Sequence, residues 1–399
     1  MLPDLHRPCP LCGNLHPAVL GRLSLPQPSY SPLPAGYRLL ACEECDFAYA
    51  DTPAPQADYD RYYQQLAKYG GPTGTGAGLD AADMRRLEAL ATRLETGLPG
   101  RDAAILDIGC GAGGLLQVLR ARGHTQAEGL DPDPAAVAAA RAQGLAVRAG
   151  LATESVALYG GSRFDLIVLS HVAEHLRDLD WLRGLGALLA PGGRLYVEVP
   201  DPRGYRCAPR PPLYYFDSEH INHFSPRALA RLLDGADLGR QTFQALQLTL
   251  ADATPYPALA VTAEAGPPTL PAPPAEAVAH LRAYLEDSLR RARSLIHIEP
   301  GLDDAAPLLI WGAGSWTQRL LGLDAIPLER VLAFLDGAPN KQGQSLAGRP
   351  ILAPAEGLAR HPAAQVLVCV AVNPRQIEAE LTRLAPGHSR RLHFITERP

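Results

Sequence analysis

From residue 103 onward, short apolar runs ending in glycine or aspartate alternate with stretches of helical periodicity. No other feature constrains the chain as strongly. AAILDIG runs into Gly109-Cys110-Gly111-Ala112-Gly113-Gly114, and GGLLQVLRARG then reads as a helix with Gly123 just past its end. QAEGLD is a second strand, and DPAAVAAARAQG is a helix with Pro134 near its start and Gly144 at its close. LAVRAG, FDLIVLS and GRLYVEV are further strands, with WLRGLGALL helical between the last two. Such a rhythm predicts a parallel sheet covered by helices. QTFQALQLTL and YPALAVTAE are the expected antiparallel pair closing it. A helix is expected ahead of the sheet, over Ala81 to Leu94.

The rest of the chain divides around this core. Its 399 residues exceed one ordinary core. GPPTLPAPPAE, residues 266–276, has the composition of a linker, and AVAHLRAYLEDSLRRARSLI beyond it reads as a long helix. A second strand–turn–helix unit follows in PLLIWGAGSWTQRLL, with RVLAFLD and QVLVCVAV after it. With 37 Lys+Arg against 42 Asp+Glu, the formal net charge is −5, which excludes sequence-independent nucleic-acid binding. No apolar stretch has the length of a membrane span, and the start lacks signal-peptide architecture, so the expectation is a cytoplasmic protein with no membrane contact. Seven cysteines in that compartment are not expected to form disulfides.

Cys9-Pro-Leu-Cys12 and Cys42-Glu-Glu-Cys45 are two C-x-x-C knuckles about thirty residues apart. Each knuckle can present two thiolates to one ion, so the four predict a closed, structural zinc site, a zinc ribbon. Unliganded thiols and a redox pair are the other readings. Cys110, Cys207 and Cys369 read as packing residues.

The glycine turn satisfies G-x-G-x-x-G, which a dinucleotide would also fit. Asp107, two residues before the first glycine, argues against that: a carboxylate there repels pyrophosphate but suits the ammonium of S-adenosylmethionine (SAM), which has no phosphate. Asp131, at the end of the next strand, is placed to accept hydrogen bonds from ribose hydroxyls. The expected cofactor-binding residues are Asp107, Gly109, Cys110, Gly111, Gly114, Asp131 and Ser170. In the later unit, WGAGS has Thr317 where a third glycine would stand, and Asp336 ends the next strand; a structural turn and a nucleotide contact both remain open there.

ILDIGCGAGG, GLDPD, FDLIVLSHVAEHL and LLAPGGRLYVEVPDP together resemble the class I SAM-dependent methyltransferases, over roughly residues 100 to 265. With the four cysteines before them, FDSEHINHFS after them and WGAGSWTQRLL at the end, the chain resembles more narrowly the sugar C-methyltransferases of deoxysugar biosynthesis. That resemblance implies a small-molecule substrate, a keto sugar carried by a nucleoside diphosphate. It also implies acceptor-side residues: Glu219 and His220 from the segment after the sheet, His175 after the fourth strand, and Tyr69 ahead of the core. His220 assisted by Glu219 is the first-choice base, and His171 and His223 read as structural.

The expected fold is therefore α/β, with a zinc-binding domain over 1–60, a Rossmann-like SAM methyltransferase core over 61–265 and a second Rossmann-like domain over 276–399. O-methylation of a glycan or related metabolite is the alternative within enzymes. A non-catalytic zinc-ribbon scaffold is the alternative outside them. The oligomeric state is left open.

Overall fold

The computed structural model describes residues 4–66, 81–208, 210–249, 254–268, 272–295, 297–298, 305–370, 374–385 and 392–396. Two compact units divide the chain. The first comprises residues 1–20, 39–209 and 219–282; the second comprises 21–38, 210–218 and 283–399.

Three strands open the chain, β1 (Ala18–Ser24), β2 (Gly36–Cys42) and β3 (Phe47–Asp51), followed by helices α1 (Gln56–Leu66) and α2 (Ala81–Glu95). The first unit's main sheet is then built from β4 (Ile105–Ile108), α3 (Gly114–Ala121), β5 (Ala127–Asp131), α4 (Pro134–Ala142), β6 (Ala146–Ala149), α5 (Ser155–Tyr159), β7 (Phe164–Ser170) and β8 (Leu189–Pro200). After these come β9 (Asn222–His223), α6 (Pro226–Asp234), β10 (Arg240–Thr249), β11 (Pro255–Glu264) and α7 (Ala277–Leu295). The sheet order is β10-β11-β8-β7-β4-β5-β6, and a four-stranded sheet runs β1-β2-β3-β9.

Strands β6, β5, β4, β7 and β8 are parallel, whereas β11 lies antiparallel to β8 and β10 antiparallel to β11, Arg240 facing Glu264. The helix-covered parallel sheet with its antiparallel closure is thus present as the sequence implied. All four residues of β4 are buried, as a central strand covered on both faces requires. Ile105 packs with Leu87, Leu90 and Leu94 of α2 and with Leu115 and Leu119 of α3. Leu106 and Ile108, pointing the other way, join Ile167, Leu195 and Val197 and reach Leu229 and Leu233 of α6. Each such side chain contributes roughly 1.5–3 kcal/mol through burial.

Two local features follow from single residues. Asp133 caps α4, accepting from Ala135 N at 2.7 Å, with Pro134 opening the helix. Trp181–Leu189, expected to be helical, is a 3₁₀ run over Asp180–Leu188. Gly184 and Gly186 lower helix propensity there, and a Cβ on Gly184 would stand 3.0 Å from Val156 Cγ2.

The second unit carries β12 (His297–Ile298), β13 (Leu308–Trp311), α8 (Ser315–Gly322), β14 (Val331–Leu335), β15 (Ser345–Leu346), β16 (Arg349–Leu352), α9 (Pro354–Arg360), β17 (Gln365–Val368), α10 (Pro374–Leu384) and β18 (Leu392–Thr396), in the order β12-β18-β17-β13-β14-β16-β15. Its five inner strands are parallel. Both main sheets reverse direction of winding beside their first core strand, between β4 and β7 and between β13 and β17, where open α/β sheets place ligands. Among the described residues no helix is long and apolar enough to cross a membrane.

Gly129 tests how tightly the first glycine turn is packed. A Cβ there would lie 2.5 Å from Cys110 Sγ and 2.9 Å from Leu116 Cδ1. Gly129→Ala is expected to destabilise by about 1–3 kcal/mol through overpacking. Cys110→Ala should restore part of that loss in the double variant, read as the shift of the urea midpoint.

Candidate active site

The turn after β4 is shaped by three glycines with positive φ: Gly109 at 80°, Gly111 at 53° and Gly113 at 82°. Gly109 N donates to Leu130 O at 2.7 Å, tying the turn to the end of β5. Gly111 N donates to Asp131 Oδ2 at 2.7 Å, while Asp131 Oδ1 accepts from Asp133 N at 2.9 Å. Asp107, Gly109, Gly111, Gly114 and Asp131 therefore gather at the C-terminal ends of β4 and β5. Cys110 is buried with Leu116 and Val137 and acts in packing. Ser170, at the end of β7, donates to Glu198 Oε1 at 3.4 Å.

Both carboxylates of the turn resist ionisation. Burial, and after it the neighbouring Asp131, push Asp107 up to about 7. Burial raises Asp131 to about 6, against hydrogen bonds from Asp133 and Gly111 that favour its charge.

A second group assembles beyond β7. The turn Ala173–His175 is clamped by the segment after the sheet: Asn222 Nδ2 donates to Ala173 O at 2.8 Å and to Leu176 O at 2.7 Å, and Ile221 N donates to Glu174 O at 2.9 Å. Strand β9 pairs with β3, Ala48 opposite His223. These bonds bring Glu219 and His220 to His175. The His175 and His220 rings meet edge-on with centroids 4.8 Å apart, and His175 Nδ1 lies 3.2 Å from Glu219 O.

Helix α1 adds two tyrosines that the sequence reading did not single out. Tyr62 OH donates to Glu219 Oε1 at 2.8 Å, and Tyr63 OH is 2.8 Å from His175 Nδ1. Tyr69, expected in this role, lies outside the described residues. The adjacent pair Tyr62-Tyr63 stood in the sequence as an aromatic cluster. Only the packing of α1 separates it from ordinary core aromatics.

Glu174 is the other addition. Its side chain is fully buried, and a carboxylate oxygen lies within 4.8 Å of ring nitrogens of His175 and His220. His171, held in a left-handed conformation (φ 58°) by its N–H bond to Glu198 O at 2.8 Å, stands between two buried acids. Its Nδ1 is 3.0 Å from Glu174 Oε1 and its Nε2 is 3.5 Å from Glu198 Oε1. Burial opposes its charge, but hydrogen bonds to Glu174 and Glu198 outweigh burial and raise it to about 9. Glu198 falls to about 2, burial being overcome by His171, Tyr196 and Arg93.

At the N-terminus, Cys9, Cys12, Cys42 and Cys45 place their sulfurs within 4.8 Å of one another, with Cys9 Sγ to Cys45 Sγ at 4.0 Å and Cys12 Sγ to Cys42 Sγ at 3.7 Å. A tetrahedral ion with bonds of about 2.3 Å to sulfur holds its ligands about 3.8 Å apart, so the donor set fits zinc. In the second unit, Asp336 Oδ2 accepts from Ala313 N at 3.0 Å and pairs with Lys341 Nζ at 2.8 Å. Thr317 Oγ1 donates to Gly312 O at 2.7 Å, which gives the residue standing in place of the third glycine a structural task.

A glycine turn with an acid at the end of each of two adjacent strands thus follows β4, and a cluster of histidine and carboxylate side chains follows β7. Comparison with known proteins gives the class. Residues 80–239 match the family described as a methyltransferase domain. The ubiquinone biosynthesis O-methyltransferase of Agrobacterium fabrum is 27% identical over 191 residues, covering 45% of this chain and 74% of that protein. Its namesake in Xanthomonas euvesicatoria pv. vesicatoria is 33% identical over 150 residues, covering 36% of this chain and 61% of that protein. Among solved structures, the Burkholderia thailandensis 1,6-didemethyltoxoflavin-N1-methyltransferase, with 1,6-didemethyltoxoflavin and S-adenosylhomocysteine bound, is 22% identical with a TM-score of 0.41, covering 60% of this chain and 99% of that one. The chain carries a SAM-dependent methyltransferase domain of class I.

The raised Asp107 and Asp131 give SAM binding a pH dependence with a definite sign. In an arrangement where Asp107 faces the SAM ammonium, it takes up a proton below about pH 7 and that attraction is lost, and Asp131 follows near 6. SAM affinity is expected to be flat above pH 7 and to fall below it by up to about tenfold per pH unit, measured by calorimetry across pH 5–8.

Proposed function

We propose that this SAM-dependent methyltransferase methylates a small acceptor bound at the Glu219–His220–His175 cluster, with C-methylation of a nucleotide-linked keto sugar through an enolate as the reaction. The observation that carries the reading is the meeting of His175, His220 and Glu219 beyond β7, at the same sheet edge as the glycine turn. SAM supplies an electrophilic methyl carbon when bound. In the proposed arrangement, Gly109, Gly111 and Gly114 let the backbone approach it, Asp107 faces its ammonium and Asp131 its ribose. Cys110 and Ser170 support the two strand ends. The acceptor's proton leaves to the Glu219–His220 pair. His175, with Tyr63 at its Nδ1, orients or polarises the oxygen on which charge develops. Tyr69 is proposed to reach the same acceptor.

O-methylation is the second reading, favoured by the printed names of the relatives, which are O-methyltransferases. It needs only a base, whereas C-methylation also needs a group to stabilise the enolate. His220→Ala is expected to lower turnover by at least about a hundredfold while leaving SAM affinity nearly unchanged. Full activity in that variant overturns the assignment of the acceptor end. In deuterated water without SAM, wild type given a nucleotide-linked keto sugar should exchange the proton beside the ketone; methylation at oxygen with no such exchange selects the second reading.

Zinc at Cys9, Cys12, Cys42 and Cys45 completes the proposal, in a structural role since four thiolates leave no open position. Elemental analysis of protein purified without chelators should give one zinc per chain. Cys42→Ser should loosen the N-terminal segment, read by limited proteolysis, more than it weakens SAM binding.

A further inference from the structure

Glu174 has a buried oxygen that the methyl-transfer reading leaves unused. Its side chain is 0% exposed, and Oε1 is taken by His171 Nδ1 at 3.0 Å. Oε2 has no hydrogen-bond partner among the described residues. A bare oxygen in so dry a position is destabilising unless something satisfies it, and an ion is one such occupant. The groups nearest the carboxylate are nitrogen donors. One ligand atom each from Glu174, His175 and His220 lie within 4.8 Å of one another.

His175 is held at Nδ1 by Glu219 O and Tyr63 OH. The Glu219 carbonyl oxygen, 3.2 Å from Nδ1, can only accept, which favours the tautomer with the proton on Nδ1 and the lone pair on Nε2. A backbone carbonyl fixing one imidazole nitrogen so that the other can ligate is the usual support of a metal-binding histidine. Glu174 is likewise held, its Oε1 by His171 and its own carbonyl by Ile221 N. Both histidines are partly exposed.

We propose that Glu174, His175 and His220 bind a divalent transition-metal cation. Two imidazoles and one carboxylate suit manganese, iron, cobalt or zinc, and three protein ligands leave coordination positions for a hydroxyl or carbonyl oxygen of the acceptor. Cis ligands on such an ion sit about 3.0–3.4 Å apart, a spacing the three side chains reach by small rotations. The inference rests on the methyl-transfer reading for its role and refines it. With the ion in place, His220 is a ligand, the cation polarises the acceptor oxygen, and Glu219 is the member of the pair that takes the proton.

The test is a titration of the full-length chain with Mn²⁺, followed by electron paramagnetic resonance without acceptor or turnover. Manganese is a poor match for the soft four-cysteine cluster, so Cys42→Ser should leave the titration unchanged. Wild type should remove about one equivalent of the free Mn²⁺ signal per chain. Glu174→Gln and His220→Ala should each weaken binding by at least about tenfold, with SAM affinity reporting that the fold is intact. If Glu174→Gln does not fold, His220→Ala, at a partly exposed position, decides alone. Elemental analysis covers an ion retained through purification: a metal equivalent present in wild type and lost in Glu174→Gln also supports the site. Wild type that binds SAM, takes no Mn²⁺ at millimolar concentration and matches Glu174→Gln in metal content overturns the proposal. In that case a turnover loss in His220→Ala would still uphold the proton-transfer reading. Mn²⁺ binding without SAM binding would have the opposite meaning, sparing the cation site and removing methyl transfer.

Discussion

The acceptor side of this site depends on one carboxamide. Asn222 is buried, and its Nδ2 donates to two carbonyls of the turn after β7, those of Ala173 and Leu176. Ala173 O also accepts from Leu176 N at 3.4 Å and Leu176 O from Arg7 Nη2 at 3.5 Å, so among the described residues Asn222 supplies the shortest bond that each carbonyl receives. The same residue sits in β9, whose pairing with β3 fixes the chain on its other side. Between these two anchors Glu219 and His220 have little freedom. His175, Glu174 and the Glu219–His220 pair thus share one neighbourhood although 44 residues separate His175 from Glu219.

Charge runs through the floor of the site as an alternating chain. Arg93 of α2 meets Glu198 of β8 at 3.0 Å, Glu198 meets His171, and His171 meets Glu174. Tyr196 OH adds a bond to Glu198 at 2.6 Å. Glu174 and Glu198 are both fully buried, where an isolated carboxylate would take up a proton. Alternation keeps them ionised: each acid has a cationic or hydrogen-bonding neighbour, and His171 keeps its proton because it has an acid on either side. The strained backbone of His171 is the cost of holding that ring between β8 and the turn. Removal of any member would leave a buried charge exposed to low dielectric without its counterpart, which is more damaging than the loss of one contact.

The parallel core was legible because its signals are local. Short apolar runs, Pro134 near a helix start and glycines at strand ends all act within a few residues, and β4 to β8 and the β10–β11 hairpin followed from them. The four cysteines were legible for the same reason, since each knuckle is a four-residue unit. The helix expected over Trp181–Leu189 was legible from its apolar spacing, but its 3₁₀ form, to which Gly184 and Gly186 tilt the backbone, was not. Tyr62 and Tyr63 were not legible as site residues: their partners lie 157 and 112 positions away, and nothing in an adjacent tyrosine pair announces that distance. Glu174 was hidden differently. Its place beside His175 was visible, but its burial, which turns an ordinary acid into a ligand, is a property of packing.

The two units reuse one backbone device and give it different chemistry. In the first, Asp131 accepts from the glycine-turn residue Gly111 and from Asp133, two positions on. In the second, Asp336 accepts from Ala313 in the glycine turn and from Ala338, again two positions on. Each aspartate locks a turn to the next strand with two N–H groups. What differs is the residue two places before the first glycine: Asp107 in β4, Ile310 in β13. A carboxylate at that point makes the first turn hostile to phosphate and favourable to an ammonium, whereas the second presents an apolar strand and pairs its aspartate with Lys341. The glycines and the aspartate therefore account for the shape of such a turn, and the two turns differ in the charge at the strand end. For that reason the motif became informative only when read together with Asp107.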